Sequence, residues 1–345
     1  MLRIAVSIGG LLLPLAGLGH HSVSAWFDSN DIIELEGKLT ELRWQNPHIA
    51  FTLEVVDASG KATAWEMESL SVSGISRTGL SRDLFVVGER LKVAGNPSRR
   101  NLNNVFIRNV LLPNGQEIVL GGGAPRWAAE VSLRGSETLR ESDGDPSRPD
   151  LGIFRVWSTG AGTPMLFPED IDRNFDFGKY PLTPAGRAAV DAFDIFANDP
   201  TIRCVPKGMP LLMEQPYPIE FARSGDDLVL KLEEYDSVRM IDMNGTPADA
   251  ARAAPSSLGY SIGRWDGTTL VVTTTRVNSG TFDSVGIPLG PDAELVERFT
   301  PSADGARLEY RLTVTDPATF TRPVELGKYW IWRPEVALGR YACER

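Results

Sequence analysis

Apolar and polar residues alternate in short runs along most of the chain, a pattern typical of half-buried β-strands. In the first third, such runs extend from Asp31 to Leu120 and are rich in Val, Ile, Phe and Trp. A more helical stretch at residues 72–85 separates the third run from the fourth. Five strands with one helix in that position predict an OB-like five-stranded β-barrel.

A second set of alternating runs begins after Pro218 and continues to Trp332. Sequential hairpins without intervening helices predict an antiparallel lipocalin-like barrel or a strongly curved sheet, so the fold class is mainly β. Before this set, residues 151–157 read as a strand, and Thr183 and Pro184 read as the N-cap and first residue of a short helix. The turn dipeptides between the runs are typical of tight hairpins: Gly225-Asp226, Asn244-Gly245, Asp266-Gly267 and Asp304-Gly305.

The first residues read as a secretory signal peptide. Residues 1–19 contain one basic residue, then an uncharged apolar run, with Pro14 near its end. Cleavage after Gly19 leaves His20 at the new N-terminus, whereas cleavage after Ala25 fits the small-residue rule better and removes both His20 and His21. Either position predicts a periplasmic or secreted protein. The apolar run is short for a membrane span, and no later segment is long enough, so none is expected.

Turn-rich composition divides the rest of the chain into two modules. The OB-like module is expected at residues 20–121, a polar linker at 122–150 and the second barrel at 151–345. The formal net charge is −10, which disfavours nucleic acid as a partner, although OB folds often bind it. The sequence contains neither a phosphate-binding loop nor a dinucleotide fingerprint, so no nucleotide cofactor is expected.

The chain has only two cysteines, Cys204 and Cys343, near the two ends of the second module. In an oxidising compartment they are expected to form a disulfide that closes a loop of about 140 residues. Buried free thiols are the alternative.

Several motifs of the first module resemble an uncharacterised family of small exported bacterial proteins. The resemblance covers about residues 15–121 and implies cleavage before His20. The motifs that carry it occur in order: His20-His21-Ser22, Phe27-Asp28, Glu36-Gly37, Asn46-Pro47-His48 and Gly88-Glu89.

The second module resembles the C-terminal half of another set of uncharacterised exported bacterial proteins. Only the outline of the barrel is similar to a lipocalin. The matching residues include Cys204-x-Pro206-x-Gly208-Met209-Pro210, Gly263-Arg264-Trp265-Asp266-Gly267, Glu297-Arg298-Phe299 and Tyr341-x-Cys343.

All three histidines, His20, His21 and His48, lie in or just before the first module. If cleavage exposes His20, its amino group and ring together with the His48 ring offer three nitrogens for copper, an arrangement similar to the histidine brace of exported copper proteins. His21 is an alternative second donor. The other interpretation is a solvated terminus with His48 in an ordinary turn.

The second module contains no histidine, which excludes histidine-based catalysis there unless a residue of the first module reaches across. The first hypothesis is a barrel that binds a small apolar molecule. The alternative is an isomerase, lyase or cyclase that uses barrel carboxylates, with Glu234, Arg239 and Asp283 as candidates and Glu234 with Arg239 as a pair. Ordinary ion pairs on the wet face of the strands are the competing interpretation. The other candidates considered are Glu233, Tyr235, Arg264, Glu297 and Arg298.

Overall fold

A computed structural model describes most of the chain, and the fold is mainly β as expected. The described residues are 23–76, 78–100, 102–120, 124–128, 133–134, 144–158, 167–168, 180–198, 201, 204–214, 216–284 and 286–343. Within them the helices are α1 Val23–Trp26, α2 Val72–Ser76, α3 Pro184–Ala192, α4 Ile195–Asn198 and α5 Pro247–Arg252. Short 3-10 helices lie at Arg82–Leu84, Pro149–Leu151, Leu211–Glu214 and Glu234–Asp236.

The strands of the described residues form two sheets. The first holds β1 Ile33–Arg43, β2 Ala50–Val56, β3 Ala62–Glu68, β4 Arg90–Pro97, β5 Asn104–Leu111, β6 Glu117–Val119 and β7 Leu133–Arg134. The second holds β8 Val156–Ser158, β9 Phe167–Pro168, β10 Ile219–Ser224, β11 Asp227–Leu232, β12 Ser237–Ile241, β13 Tyr260–Asp266, β14 Thr269–Thr275, β15 Glu294–Pro301, β16 Arg307–Thr315 and β17 Val324–Trp332.

The first five strands close into the expected five-stranded barrel. Strand β1 lies between β2 and β4, and the barrel closes where β3 pairs with β5 in parallel. Helix α2 lies between β3 and β4, in the predicted position. Alternate residues point inward because successive side chains of a strand face opposite sides. The barrel interior is therefore apolar and includes Leu53, Met67 and Ile107.

The chain before the barrel packs on the outside of its wall. Trp26 and Phe27 are buried together with Phe106, whose neighbours in β5, Val105 and Ile107, face the interior. The backbone of Phe27 bridges to Ser98, which fixes this N-terminal segment against the barrel.

The segment expected to be a linker includes residues that contact the first barrel. Strand β7 pairs in parallel with β6 and so extends the first sheet. The buried carboxylate of Glu117 accepts hydrogen bonds from the backbone N–H groups of Arg126, Trp127 and Ala128 at 2.7–2.8 Å. These bonds hold residues 124–128 on the barrel surface.

The second sheet is a nearly closed, nine-stranded antiparallel barrel. Its order is β12-β11-β10-β8-β17-β16-β15-β14-β13, with β9 beside β17. At the seam between β12 and β13, Asp242 accepts from Gly263 N and donates its own N–H to Ser261 O, both at 2.9 Å. Large side chains such as Trp157, Phe299 and Trp330 occupy the interior.

Two local expectations are corrected. The strand expected at residues 151–157 is shorter, because the chain first forms a 3-10 helix and β8 begins only at Val156. The tight hairpin expected at Asn244-Gly245 is wrong, because α5 and a loop separate β12 from β13. Gly225-Asp226 forms the expected two-residue hairpin, since Ser224 pairs with Asp227.

Other expectations are confirmed. Cys204 and Cys343 form the expected disulfide. Thr183 caps α3 by accepting a hydrogen bond from Gly186 N at 3.0 Å, with Pro184 as the first helical residue. Among the described residues, no helix has the length and apolar character needed to cross a bilayer.

Candidate functional site

His48 is buried on the wall of the first barrel, at the start of the segment leading into β2. Its Nδ1 lies 2.6 Å from the carbonyl oxygen of Ser69. A carbonyl oxygen only accepts, so Nδ1 carries the proton and donates it. In its neutral form the ring therefore has its lone pair on Nε2, the arrangement usual for metal-binding histidines.

The N-terminal segment lies close to this histidine. The His48 ring meets Phe106 edge to face with a centroid separation of 6.4 Å, and Phe106 meets Phe27 at 5.7 Å. Val23 packs against the same aromatic cluster. Glu68 is buried too, and its backbone pairs in register with that of Phe106 on the neighbouring strand. One face of the barrel thus brings together His48, a buried carboxylate and the start of α1.

The turn that carries His48 is fixed by Asn46. The buried amide of Asn46 donates to Ser73 Oγ at 2.9 Å and accepts from Ser73 N at 3.2 Å. It also donates to the carbonyl oxygen of Tyr341, and the backbone of Asn46 bridges to Cys343. The histidine turn is therefore attached both to α2 and to the disulfide-bonded end of the second module.

Two of the three predicted copper ligands, His20 and His21, lie outside the described residues, as does the predicted leader. In the described part of the chain, His, Cys, Asp and Glu form no group of three or more arranged to hold a metal. The copper site therefore stays a prediction.

The predicted catalytic pair Glu234 and Arg239 does not form. Arg239, on β12, makes an ion pair with Glu297 on β15. Glu234, in the 3-10 helix before β12, instead makes an ion pair with Lys207 at 3.0 Å. The short helix turns the chain between the two residues, which the hairpin pattern did not indicate.

Arg239 forms a buried network that crosses the seam of the second barrel. Its guanidinium donates to Ser261 Oγ and to Glu297 Oε1, each at 2.9 Å, and to Thr274 Oγ1. The hydroxyl of Tyr310 donates to Glu297 Oε1, also at 2.9 Å. Burial lowers the pKa of Arg239, but the charge and hydrogen bonds of Glu297 outweigh this and raise it. Arg239 therefore stays protonated.

Glu234 belongs to a second buried group of ionisable side chains. Lys207 and Lys328 lie near it, and Glu214 at the end of a 3-10 helix completes the group, which we call the lysine–glutamate cluster. Burial raises the pKa of Glu234 and of Glu214, and it lowers the pKa of Lys328 to about 7. Shifts of this kind concentrate at functional sites, although structural ion networks also produce them.

The remaining candidate catalytic residues each make a different local contact. Asp283 lies in the loop between β14 and β15, where its Oδ1 accepts from Ile287 N at 3.0 Å. Glu233 is buried and accepts from Gly339 N at 2.7 Å. Arg298 is partly exposed and pairs with Asp266 at 2.9 Å. Each of these contacts holds a loop or a strand surface.

Sequence reasoning missed Lys207, Glu214 and Lys328. A signal for Lys328 was present, since alternation along β17 places it on the same face as Leu326 and Trp330. The other two residues lie in the segment that follows Cys204, which has no strand periodicity to indicate a face.

Residues 11–105 match the model of a family of unknown function (DUF6152). The match includes most of the first barrel and agrees with the resemblance of this part to an uncharacterised family. No curated protein matches the chain. Among solved structures, the N-terminal domain of PriB from Thermoanaerobacter tencongensis, titled a dimeric structure, is similar at 23% identity with a TM-score of 0.19. That similarity covers 24% of this chain and 97% of the PriB chain.

Proposed function

We propose that this is an exported copper-binding protein whose site combines His48 with the mature N-terminus. The ligands are the amino group and ring of His20 together with Nε2 of His48. His21 is the alternative second donor. The observation that carries the proposal is the hydrogen bond from His48 Nδ1 to Ser69 O, which directs the ring's lone pair to Nε2.

The position of the N-terminal segment supports a shared site. Val23 is packed on the aromatic cluster that includes Phe106, and Phe106 contacts the His48 ring. Only two residues separate Val23 from His20, so an extended chain spans at most about 11 Å from one to the other. The proposal requires the ring of His48 to lie within that reach of Val23.

Cleavage before His20 is also supported by α1. The carbonyl of Val23 accepts from Phe27 N at 2.8 Å, and Val23 adds apolar contact to the buried Phe27 cluster. Cleavage after Ala25 would remove this turn and leave Trp26 at the terminus. The disulfide between Cys204 and Cys343 is in keeping with export, because such bonds persist in oxidising compartments.

The donor set favours copper over other metals. Imidazole and amine nitrogens in a planar arrangement suit Cu(II), which also binds such ligands more tightly than neighbouring divalent metals do. Buried Glu68 lies on the same wall, where its backbone pairs in register with that of Phe106, which contacts the His48 ring. It would favour a cation there.

The first experiment is to sequence the N-terminus of the exported protein and then titrate it with Cu(II). We expect His20 as the first residue and one tightly bound ion with nitrogen ligands in the electron paramagnetic resonance spectrum. His48→Gln should weaken the affinity by about 100-fold or more, since loss of a partner that only orients a ligand already costs 10–100-fold.

A second variant keeps all three histidines and changes only the position of the amino group. One added Ala before His20 displaces the amino group but keeps every side chain, and should weaken binding to a comparable degree. Thermal unfolding of both variants checks that the barrel remains folded. Cleavage after Ala25, or unchanged affinity in folded His48→Gln protein, would refute the proposal.

A further inference from the structure

The lysine–glutamate cluster is built from residues of the second module, none of which is a proposed copper ligand. Lys328 is the member on the barrel wall. Along β17, Val324, Leu326, Lys328 and Trp330 are buried in alternation, so the ammonium group faces the interior. Only 4% of Lys328 is exposed. The alternation along β17 predicts an apolar core residue at position 328, and a lysine stands there instead.

The contacts of Lys328 hold its amine in one place. Its Nζ donates to the carbonyl oxygen of Met213 at 3.2 Å and lies 4.6 Å from the centre of the Trp330 ring. Tyr310 stands directly across from it on β16. The amine thus has an aromatic wall on one side and the 3-10 helix Leu211–Glu214 on the other.

Three charged groups act on this amine. Glu214 and Glu234 favour its protonated form, whereas Lys207 and burial oppose it. Lys207 is already engaged with Glu234 at 3.0 Å, so Glu214 is the carboxyl group that Lys207 does not neutralise through a direct ion pair. Glu214 is also the half-buried member of the cluster.

Burying such a cluster costs folding free energy, so stability by itself does not explain why it is there. Removing charged groups from water costs several kcal/mol each, and buried ion pairs are often replaced by apolar residues without loss. A strand that otherwise buries Val, Leu and Trp would accept an apolar residue at position 328. A desolvated amine with a pKa near 7, grouped with carboxyl groups of raised pKa, is in contrast the usual arrangement for a nucleophile with a proton donor.

We propose that Lys328 forms an imine with a small carbonyl compound, an aldehyde or ketone with an apolar body, bound in the second barrel. The Nζ lone pair attacks the carbonyl carbon, and one amine proton moves to the carbonyl oxygen, giving a carbinolamine. Glu214, as a carboxylic acid, protonates the hydroxyl group, which leaves as water. The resulting carboxylate takes the remaining nitrogen proton, so the sum is amine plus carbonyl to imine plus water.

The surroundings indicate what the carbonyl compound must be. Trp330 and the apolar core around it favour an aromatic or aliphatic body. The nearby carboxyl groups of Glu214 and Glu234 disfavour an anionic one. This inference does not depend on copper, because none of its residues belongs to the first module.

The test traps the imine in the unmodified, disulfide-bonded protein. The protein is incubated at pH 7 with benzaldehyde and sodium cyanoborohydride, and the benzylated lysines are located by peptide mass mapping. We expect Lys328 to react at least about tenfold faster than exposed Lys38 and Lys61, because each unit of pKa lowering raises the neutral fraction tenfold. The labelling rate of Lys328 should be half-maximal near pH 7.

The variant Glu214→Gln provides a second test of the proposal. It should slow labelling of Lys328 by about tenfold or more, in the range of general acid catalysis, and leave Lys38 unchanged. Unlabelled Lys328 in protein whose exposed lysines react would overturn the proposal. Equal labelling rates for Lys328 and the exposed lysines would overturn it as well. His48→Gln protein should label normally, which separates this result from the copper titration.

Discussion

Two buried side chains, His48 and Lys328, have protonated nitrogens held by backbone carbonyls. His48 Nδ1 donates to Ser69 O, and Lys328 Nζ donates to Met213 O. For the histidine, this bond selects one tautomer and leaves a lone pair on the other nitrogen. For the lysine, desolvation by burial outweighs the favourable charges of Glu214 and Glu234, and the pKa falls to about 7.

The lowered pKa of Lys328 predicts how stability depends on pH. Between about pH 7 and pH 10, the unfolded chain holds the Lys328 proton and the folded chain has lost it, so the free energy of unfolding rises with pH. The contribution is at most about 1.4 kcal/mol per pH unit. Lys328→Met should remove this slope in urea unfolding measured from pH 7 to 9.5.

Lys231→Met is the matched control, because the Lys231 side chain is about half exposed and pairs with Glu220 on the neighbouring strand. It should keep the slope of the unmodified protein. The pH range ends below about 10, where tyrosines of the unfolded chain ionise. In the folded protein the hydrogen bond to Asp242 raises the pKa of Tyr260 to about 12, and burial raises that of Tyr310. The same slope in Lys328→Met as in the unmodified protein would contradict the interpretation.

At the scale of elements, the seam between β12 and β13 is the point where the second barrel lacks a full ladder. Backbone contact there includes the bridge between Asp242 and Ile262. The Arg239 side chain compensates by reaching residues on β13, β14 and β15, while Tyr310 on β16 joins through Glu297. Side-chain hydrogen bonds thus help to close the barrel at this seam, whereas backbone hydrogen bonds join the other neighbouring strands.

The seam predicts an asymmetric effect of mutation. Glu297→Leu leaves the Arg239 guanidinium buried without its counter-charge and should reduce the free energy of unfolding by about 3–5 kcal/mol. The double variant Arg239→Met with Glu297→Leu should recover most of that loss, because no buried charge remains. Urea unfolding of the single and double variants measures the difference.

An exposed ion pair on the same sheet serves as the reference for the seam. Asp266→Ala removes the partner of Arg298 and should cost less than about 1 kcal/mol, since both groups are open to water. If Glu297→Leu costs no more than Asp266→Ala, the network does not close the barrel.

These elements also show what the sequence can reveal. Turn chemistry identified the hairpin at Gly225-Asp226, because glycine supplies the positive φ of 64° that the turn requires. The same reasoning was wrong at Asn244-Gly245, where Thr246 instead begins α5 with a capping box. The partners of Glu234 and Arg239 depend on which strands meet across the barrel, which local patterns do not encode. Periodicity therefore predicted both barrels but not the side chains that meet inside them.

At the scale of the whole molecule, the two modules meet at Asn46 of the first and Tyr341 and Cys343 of the second. The Asn46 amide binds the Tyr341 carbonyl, and the Asn46 backbone bridges to Cys343, which the disulfide ties to Cys204. Tyr217 also bonds to Ser71 of the first module and to Tyr341, and burial raises its pKa, so it stays protonated. The second module therefore holds the turn that positions His48.

This arrangement predicts that the disulfide contributes to copper binding as well as to stability. Replacing both cysteines by alanine removes a cross-link between residues 139 positions apart, which should lower the free energy of unfolding by about 5 kcal/mol on the chain-entropy model. The segment Tyr341–Cys343 then loosens, so the affinity for Cu(II) should fall several-fold.

Asn46→Ala keeps the cross-link but breaks the contact between the modules. It should weaken copper binding to a similar degree for a stability loss of only about 1–3 kcal/mol. Urea unfolding and copper titration of both variants separate the two effects. Unchanged copper affinity in both would show that the histidine turn holds its position without the second module.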